Sequence, residues 1–163
     1  MTVGTAVVTA CSALIAALQA DTTLAAAGVN ISYDAPILPA NLQATDGDYE
    51  AIWLGDADET EEIPVLTAGH LHRDETIAQQ LIIQVLKPTT DGTQLAADTR
   101  AVELLTRVQD ILANNVDLGV TDPARFEAVL TRWRLERGYL PNMQGRGARF
   151  EATVEFTARL TPT

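Results

Sequence analysis

Several residue types are scarce in this sequence, and each shortage excludes a class of structure. Cys11 is the only cysteine, so the chain cannot form an internal disulfide. It falls on the apolar side of a predicted helix, where we interpret it as a small core residue rather than a reactive thiol. Aromatic residues make up only 5% of the chain. Trp53 and Trp133 both fall in predicted strands, where they are interpreted as packing residues rather than a platform for nucleic-acid bases.

Positive charge is missing from the first part of the chain. Residues 1–72 contain ten acidic residues and no lysine or arginine, whereas residues 73–163 contain twelve acidic and eleven basic residues, ten of them arginine. The net charge of −11 therefore comes almost entirely from the first part, which argues against nucleic-acid binding by the overall field. The asymmetry has two interpretations: solubility alone, or an acidic surface that meets an arginine-bearing surface of a neighbouring subunit.

A long uninterrupted apolar run is also absent. The apolar N-terminal stretch follows no basic residue, and Thr9, Ser12, Gln19 and Asp21 interrupt it before it reaches bilayer length. It therefore fits neither a signal peptide nor a membrane span. We expect a soluble protein with no membrane partner.

Two segments have the periodicity of amphipathic helices. Apolar residues recur at helical spacing over residues 95–113, where Leu95 and Val102 belong to a stripe that another element must cover. Asp91 and Gln94 have capping-box spacing, which predicts a start near residue 92 or 93. A first helix is predicted over residues 7–18, capped by Thr2 or Thr5, and residues 21–27 either extend it or form a short second piece.

Strand patterns occur in five places, and the last is the clearest. Residues 148–160 alternate strictly between small or apolar and polar side chains, as in a sheet with one dry face. The preceding strand is expected to pair with it, with Val129, Trp133 and Leu135 on one face and Arg132 and Arg134 on the other, near Glu151 or Glu155. The five predicted strands cover residues 29–33, 49–54, 76–86, 126–137 and 148–160.

These elements predict a single α+β domain over residues 1–163. Its mostly antiparallel sheet carries two main helices packed on one face, with long loop or hairpin excursions. Residues 76–86 are apolar on both faces and are predicted as the central strand. Flexible loops are expected at about residues 34–48, 55–75 and 138–147, and the second of these is a highly charged hairpin or flap.

No arrangement of residues carries recognisable catalytic chemistry. His70 and His72 have strand spacing but no third ligand, which favours a solvated loop over a metal site. Asp56 and Asp58 resemble the start of a calcium loop, but Glu61 stands where that loop requires glycine. The Gly145-Arg146-Gly147 sequence lacks the strand-to-helix context of a phosphate loop. We therefore expect no enzyme, no catalytic or metal site and no cofactor.

The layout resembles the tail-terminator, or tail-completion, minor tail proteins of long-tailed bacteriophages. The resemblance rests on three parts of the chain: the N-terminal helix with the strand at 29–33 and Asp34-Ala35-Pro36; the strand at 49–54 with the acidic flap and the strand at 76–86; and the helix at 93–113 with the closing strands. It covers most of the chain as a pattern of elements. The hairpin around residues 138–147 is more elaborate than in the smallest members.

The resemblance implies a structural virion protein that is assembled in the host cytoplasm. It would form a homohexameric ring on the head-proximal end of the tail tube, stop tube polymerisation and join the tail to the head connector. Its partners would be the tail tube protein and the connector or stopper protein, and genomic DNA would pass through the ring without specific binding. A head-closure or stopper protein is the alternative, and a module that binds a small ligand or cation is a more distant one.

Ten charged residues are the candidate inter-subunit or lumen contacts. They comprise the acidic residues of the flap and the arginines of the C-terminal part. They are Asp56, Asp58, Glu59, Glu61, Glu62, Arg132, Arg134, Arg137, Arg146 and Arg149.

Overall fold

The computed structural model describes residues 6–36, 47–62, 73–88, 93–121, 125–139 and 145–160. These residues form three helices and one five-stranded sheet, which confirms the predicted α+β class. The elements in chain order are α1 (Val7–Ala20), α2 (Thr22–Ala26), β1 (Asn30–Ser32), β2 (Tyr49–Glu62), β3 (Arg73–Lys87), α3 (Gln94–Asn114), β4 (Arg125–Tyr139) and β5 (Arg146–Leu160).

The strands lie in the order β1-β2-β3-β5-β4. β1 pairs with β2 in parallel, and the other three pairings are antiparallel. β3 is therefore the central strand, as its apolar sequence predicts. The long helix between β3 and β4 separates them in sequence, and β5 takes the place between them in the sheet.

One face of the sheet carries α1 and α3, as predicted, and holds the main core. The alternation of β5 explains the division. Between residues 148 and 158, its even-numbered residues are buried under the helices, and its odd-numbered residues are polar and face away. The buried set of β5 is Ala148, Phe150, Ala152, Val154, Phe156 and Ala158. The opposite face carries none of the described helices and is called the helix-free face; among the described residues it has a small apolar cluster, in which Ala51, Trp53 and Ile82 are buried beside Tyr49.

The helices begin close to their predicted positions but with different caps. α3 is capped by Thr93, whose Oγ1 accepts a hydrogen bond from Ala96 N at 3.1 Å. The residue that precedes α1 is Ala6, which has no side-chain capping bond. Instead, Ala6 N donates to the buried carboxylate of Glu75 at 2.9 Å. The predicted caps Thr2 and Thr5, and the predicted capping-box residue Asp91, lie outside the described residues.

The predicted flexible loops are shorter than expected where the structure describes them. β2 continues through the acidic segment, and its pairing with β3 runs out to Glu62 opposite Asp74. The β4–β5 pairing likewise extends to Tyr139 opposite Arg146. Backbone pairing with a long partner strand overrides the low strand propensity of acidic residues and glycine. The expected loops at 55–75 and 138–147 thus begin and end as strand, and residues 37–46, 63–72 and 140–144 lie outside the described part.

A β-bulge corrects the predicted faces of β4. The register with β5 shifts between Leu130 and Arg132, which places one extra residue in β4. Since side chains alternate with period two, this extra residue exchanges the two faces along the rest of the strand. Trp133 and Leu135 therefore lie on the helix-bearing face, whereas Val129 lies on the opposite face, contrary to the prediction that the three share one face.

Two arginines of α3 attach the helix to neighbouring elements through bidentate ion pairs. Arg100 donates to both carboxylate oxygens of Glu50 in β2, at 2.7 and 2.9 Å. Arg107 donates in the same two-pronged way to Asp21, whose side chain also accepts from Leu24 N at the start of α2. The Arg107 hydrogen bonds hold the pKa of Asp21 below its usual range.

Candidate assembly surface

The sheet ends in two open edges of different character. β4 is an edge strand of 15 residues whose outer side has no partner strand among the described residues. On the other side, β1 pairs only with residues 51–53 of β2. Among the described residues, no strand pairs with the outer side of the rest of β2, from Gly55 to Glu62, so this part of β2 is also an edge. Unpaired backbone groups along such edges can pair with another chain.

The edge of β2 is acidic. Gly55–Glu62 contains five acidic residues and no basic one, and all five candidate flap residues lie in the strand. Asp56 and Asp58 are exposed and lie on the helix-free face. Glu59, Glu61 and Glu62 take the following strand positions, opposite Ile77, Glu75 and Asp74 of β3.

The edge of β4 carries arginine. Arg132 and Arg134 are exposed on the helix-free face, opposite Thr153 and Glu151 of β5. Arg134 forms its ion pair with Glu136 of the same strand rather than with Glu151. Arg137 lies on the helix-bearing face and donates to Asp98 of α3 at 2.6 Å.

The two remaining candidate arginines lie in β5, inside the sheet. The Arg149 guanidinium lies 5.8 Å from the ring centroid of Trp53, a cation–π distance, and its Nη2 lies 3.3 Å from Glu151. Arg146 donates to Gly145 O at 3.2 Å. These contacts make Arg149 a packing residue of the helix-free face rather than part of an open edge.

The structure brings three of the ten candidates together. Asp56, Asp58 and Arg132 line one depression of about 280 Å³ on the helix-free face, together with Gln80 and Thr153. None of the three has an ion-pair partner within the part of the chain that the structure describes. Their charges therefore remain available to a neighbouring molecule. The other seven candidates are distributed over β2, β4 and β5.

Sequence reasoning missed an exposed apolar strip along α3 and β4. Leu95 and Val102, expected to be covered as part of the helix stripe, are 75% and 47% exposed, and Trp133 is 56% exposed. A groove of about 730 Å³ runs past Leu95 and Val102 to Leu135 of β4. The apolar stripe of α3 is too wide for one sheet to cover. Neither the bulge in β4 nor its position at the edge of the sheet has a clear signal in the sequence.

Other kinds of site receive no support from the described residues. They contain no group of three or more His, Cys, Asp or Glu side chains arranged to hold a metal ion. Asp56, Asp58 and Thr60 lie on a paired strand rather than in a loop, and His70 and His72 lie outside the described residues. None of the described helices is both long and apolar enough to cross a membrane.

Comparisons with known proteins show a shared fold. No protein-family model matches the sequence, and no curated protein matches it. Among solved structures, the fold is similar to a chain of a structure described as "Virion of native gene transfer agent (GTA) particle". The two chains are 20% identical, and the match covers 91% of this chain and 94% of the other, with a TM-score of 0.50.

Proposed function

We propose that this protein is a structural component of a virion that assembles by self-association into a ring and has no enzymatic activity. The observation that carries the proposal is the pair of unlike open edges, one acidic and one arginine-bearing, on a single sheet. The structural likeness to a chain of a gene transfer agent virion supports the assignment to a virion.

The strand directions favour a closed ring. The four long strands lie in the order β2-β3-β5-β4 and alternate in direction, so β2 and β4 run in opposite directions. If a second copy is placed beside the first by rotation about an axis along the strands, its β2 lies antiparallel to the first copy's β4. Each copy then uses two different surfaces, and such heterologous contacts close into rings when the rotation allows it.

Electrostatic complementarity would select this arrangement. The acidic edge of one copy would meet Arg132 of the next, which favours the head-to-tail contact over contacts between like edges. Pairing would also cover both open edges of every copy, which are otherwise templates for aggregation.

Within this class, we propose the specific role of a tail terminator. A hexameric ring would sit on the head-proximal end of a tail tube, end its polymerisation and join the tail to the head connector, while genomic DNA passes through without specific binding. This role comes from the resemblance of the sequence to tail-completion proteins. A stopper or other neck connector could use the same ring geometry and would differ in its partner.

Charge-reversal substitutions on the two edges test whether the ring forms through them. Asp56→Lys and Arg132→Glu should each lower the fraction of oligomer in light scattering and negative-stain images. A mixture of the two variants should restore it, because every interface of an alternating ring would again join opposite charges. A contact within one chain cannot be rescued by mixing. Asp110→Lys on exposed α3 is the matched control and should leave assembly unchanged.

Three results would count against the proposal. A wild-type protein that stays monomeric at every concentration would refute the self-assembling ring, and failure of the mixture to recover would refute the edge contact. If rings form but bind connector rather than capping isolated tail tubes, the stopper role would replace the terminator role.

A further inference from the structure

Two aromatic side chains stand at opposite ends of one row across the sheet. Tyr33 follows β1 at one edge and is 43% exposed, and Trp133 lies in β4 at the other edge and is 56% exposed. They are the two exposed aromatic side chains among the aromatic residues whose exposure the structure describes. Large aromatic side chains at an open edge suit a contact with another chain, where tryptophan and tyrosine often dominate the binding energy.

The register places both residues at the same level. Leu54 N donates to Tyr33 O at 3.3 Å, just beyond the last paired residues Ser32 and Trp53, so Tyr33 lies beside Leu54. Leu54 is paired with Leu81, Leu81 with Ala152, and Ala152 with Trp133. This row has one residue from each strand. Leu54, Leu81 and Ala152 all belong to the helix-side core, so the row lies on the helix-bearing face.

We propose that Trp133 of one copy packs against Tyr33 of the next copy in the assembled ring. The inference rests on the proposed function, since it names the aromatic contact within that head-to-tail interface. β1 runs parallel to β2, so the β1 of the next copy also lies antiparallel to β4. If the next copy lies beside the first with no shift along the strand direction, its Tyr33 lies next to the first copy's Trp133.

The neighbouring residues agree with this pairing. Asp34 follows Tyr33 and is exposed, and Arg132 precedes Trp133 and is exposed. An acidic residue at one end of the row would therefore meet a basic residue at the other, beside the aromatic pair. The partner of the surface around Trp133 is thus another copy of the chain, because the complementary surface around Tyr33 lies on the same sheet.

Both aromatic rings are already held in place by their own chain. The Trp133 ring packs edge-on against Phe150, with centroids 5.4 Å apart and an interplanar angle of 84°. The Tyr33 side chain lies beside the thiol of the buried Cys11. Because the rings are held before association, less conformational entropy is lost when they meet.

Intermolecular cysteine cross-linking tests the contact directly. In a Cys11→Ala background, which removes the native thiol beside Tyr33, one chain carries both Tyr33→Cys and Trp133→Cys. Oxidation should give a ladder of covalent species that extends beyond the dimer on denaturing gels, because each copy can be linked to two neighbours. The matched control replaces Tyr33→Cys with Ser32→Cys, whose side chain points to the opposite face, and should give far less cross-linking.

A second measurement leaves Trp133 in place. In Trp53→Phe protein, Trp133 is the remaining tryptophan, and its emission should move to shorter wavelength as the oligomer forms. Tyr33→Ala should weaken association by about tenfold, the upper range for loss of an aromatic pair. Tyr33→Phe, which keeps the ring, should leave the association nearly unchanged.

The outcomes separate the contact from the proposed function. If light scattering shows an oligomer, but no ladder forms and Tyr33→Ala has no effect, the aromatic contact is refuted and the ring is retained. If the same samples remain monomeric at every concentration, both the ring and the contact are refuted.

Discussion

The ion pair between Arg100 and Glu50 should be one of the strongest polar contacts between α3 and the sheet. Arg100 Nε and Nη2 donate to the two carboxylate oxygens of Glu50 at 2.7 and 2.9 Å, and Nη1 donates to Glu103 at 2.9 Å. The Glu50 hydrogen bonds, and then those of Glu103, raise the pKa of Arg100, which therefore keeps its charge at any ordinary pH. The planar guanidinium matches the carboxylate in a way that lysine cannot.

The burial of the pair sets the size of the expected effect. The Glu50 side chain is only 11% exposed and that of Arg100 is 28% exposed. Charge-assisted hydrogen bonds in partly buried positions contribute about 1.5–3 kcal/mol, whereas exposed ion pairs contribute about 0.2–1 kcal/mol. We expect a coupling free energy between Arg100 and Glu50 in the first range, and Arg100→Lys should lose a large part of it.

A double-mutant cycle measures this coupling. Urea unfolding of the wild type, Arg100→Met, Glu50→Leu and the double variant, at concentrations where the protein is monomeric, gives the interaction free energy. The matched control is the exposed pair Arg134 and Glu136, whose side chains are 71% and 37% exposed. Similar couplings for the two pairs would refute the argument that burial determines the strength. A coupling free energy below about 0.5 kcal/mol between Arg100 and Glu50 would also refute this argument.

Three further predictions concern stability. Asp21→Asn should destabilise the protein most near neutral pH, because Arg107 lowers the pKa of Asp21. The difference in unfolding free energy from wild type, measured by urea unfolding, should therefore shrink as the pH falls below about 4. Phe156→Ala removes a fully buried ring and should cost about 3–5 kcal/mol in the same assay. Gly145→Ala should lower the melting temperature, because its Cβ would overlap the backbone oxygen of Lys87 and would lie 2.7 Å from Pro88 Cα.

The strongest periodic patterns determined much of the fold from the sequence alone. The strict alternation of residues 148–160 is local information, because side chains of a strand point to opposite faces whatever surrounds them. It therefore predicted β5, its buried face and the antiparallel character of the sheet. The helical spacing of residues 95–113 likewise predicted α3, which begins one or two residues after the predicted start near residue 92 or 93 and ends one residue beyond 113. The charge asymmetry between the two parts of the chain is also visible without a structure.

Other features depended on contacts between residues far apart in sequence. The acidic segment of β2 is strand because β3 pairs with it, and no local propensity indicates this. The buried carboxylate of Glu75 is explained by its bond to Ala6 N, a partner 69 residues away.

The candidate assembly surface was decided by tertiary structure for the same reason. Sequence alone named the acidic flap and the arginines, but an edge exists only once the order of strands is known. The bulge after Leu130 then placed Trp133 on the helix-bearing face, and the order β1-β2-β3-β5-β4 placed Tyr33 at the far end of its row. Strand order and register come from packing of the whole chain, which no local pattern encodes.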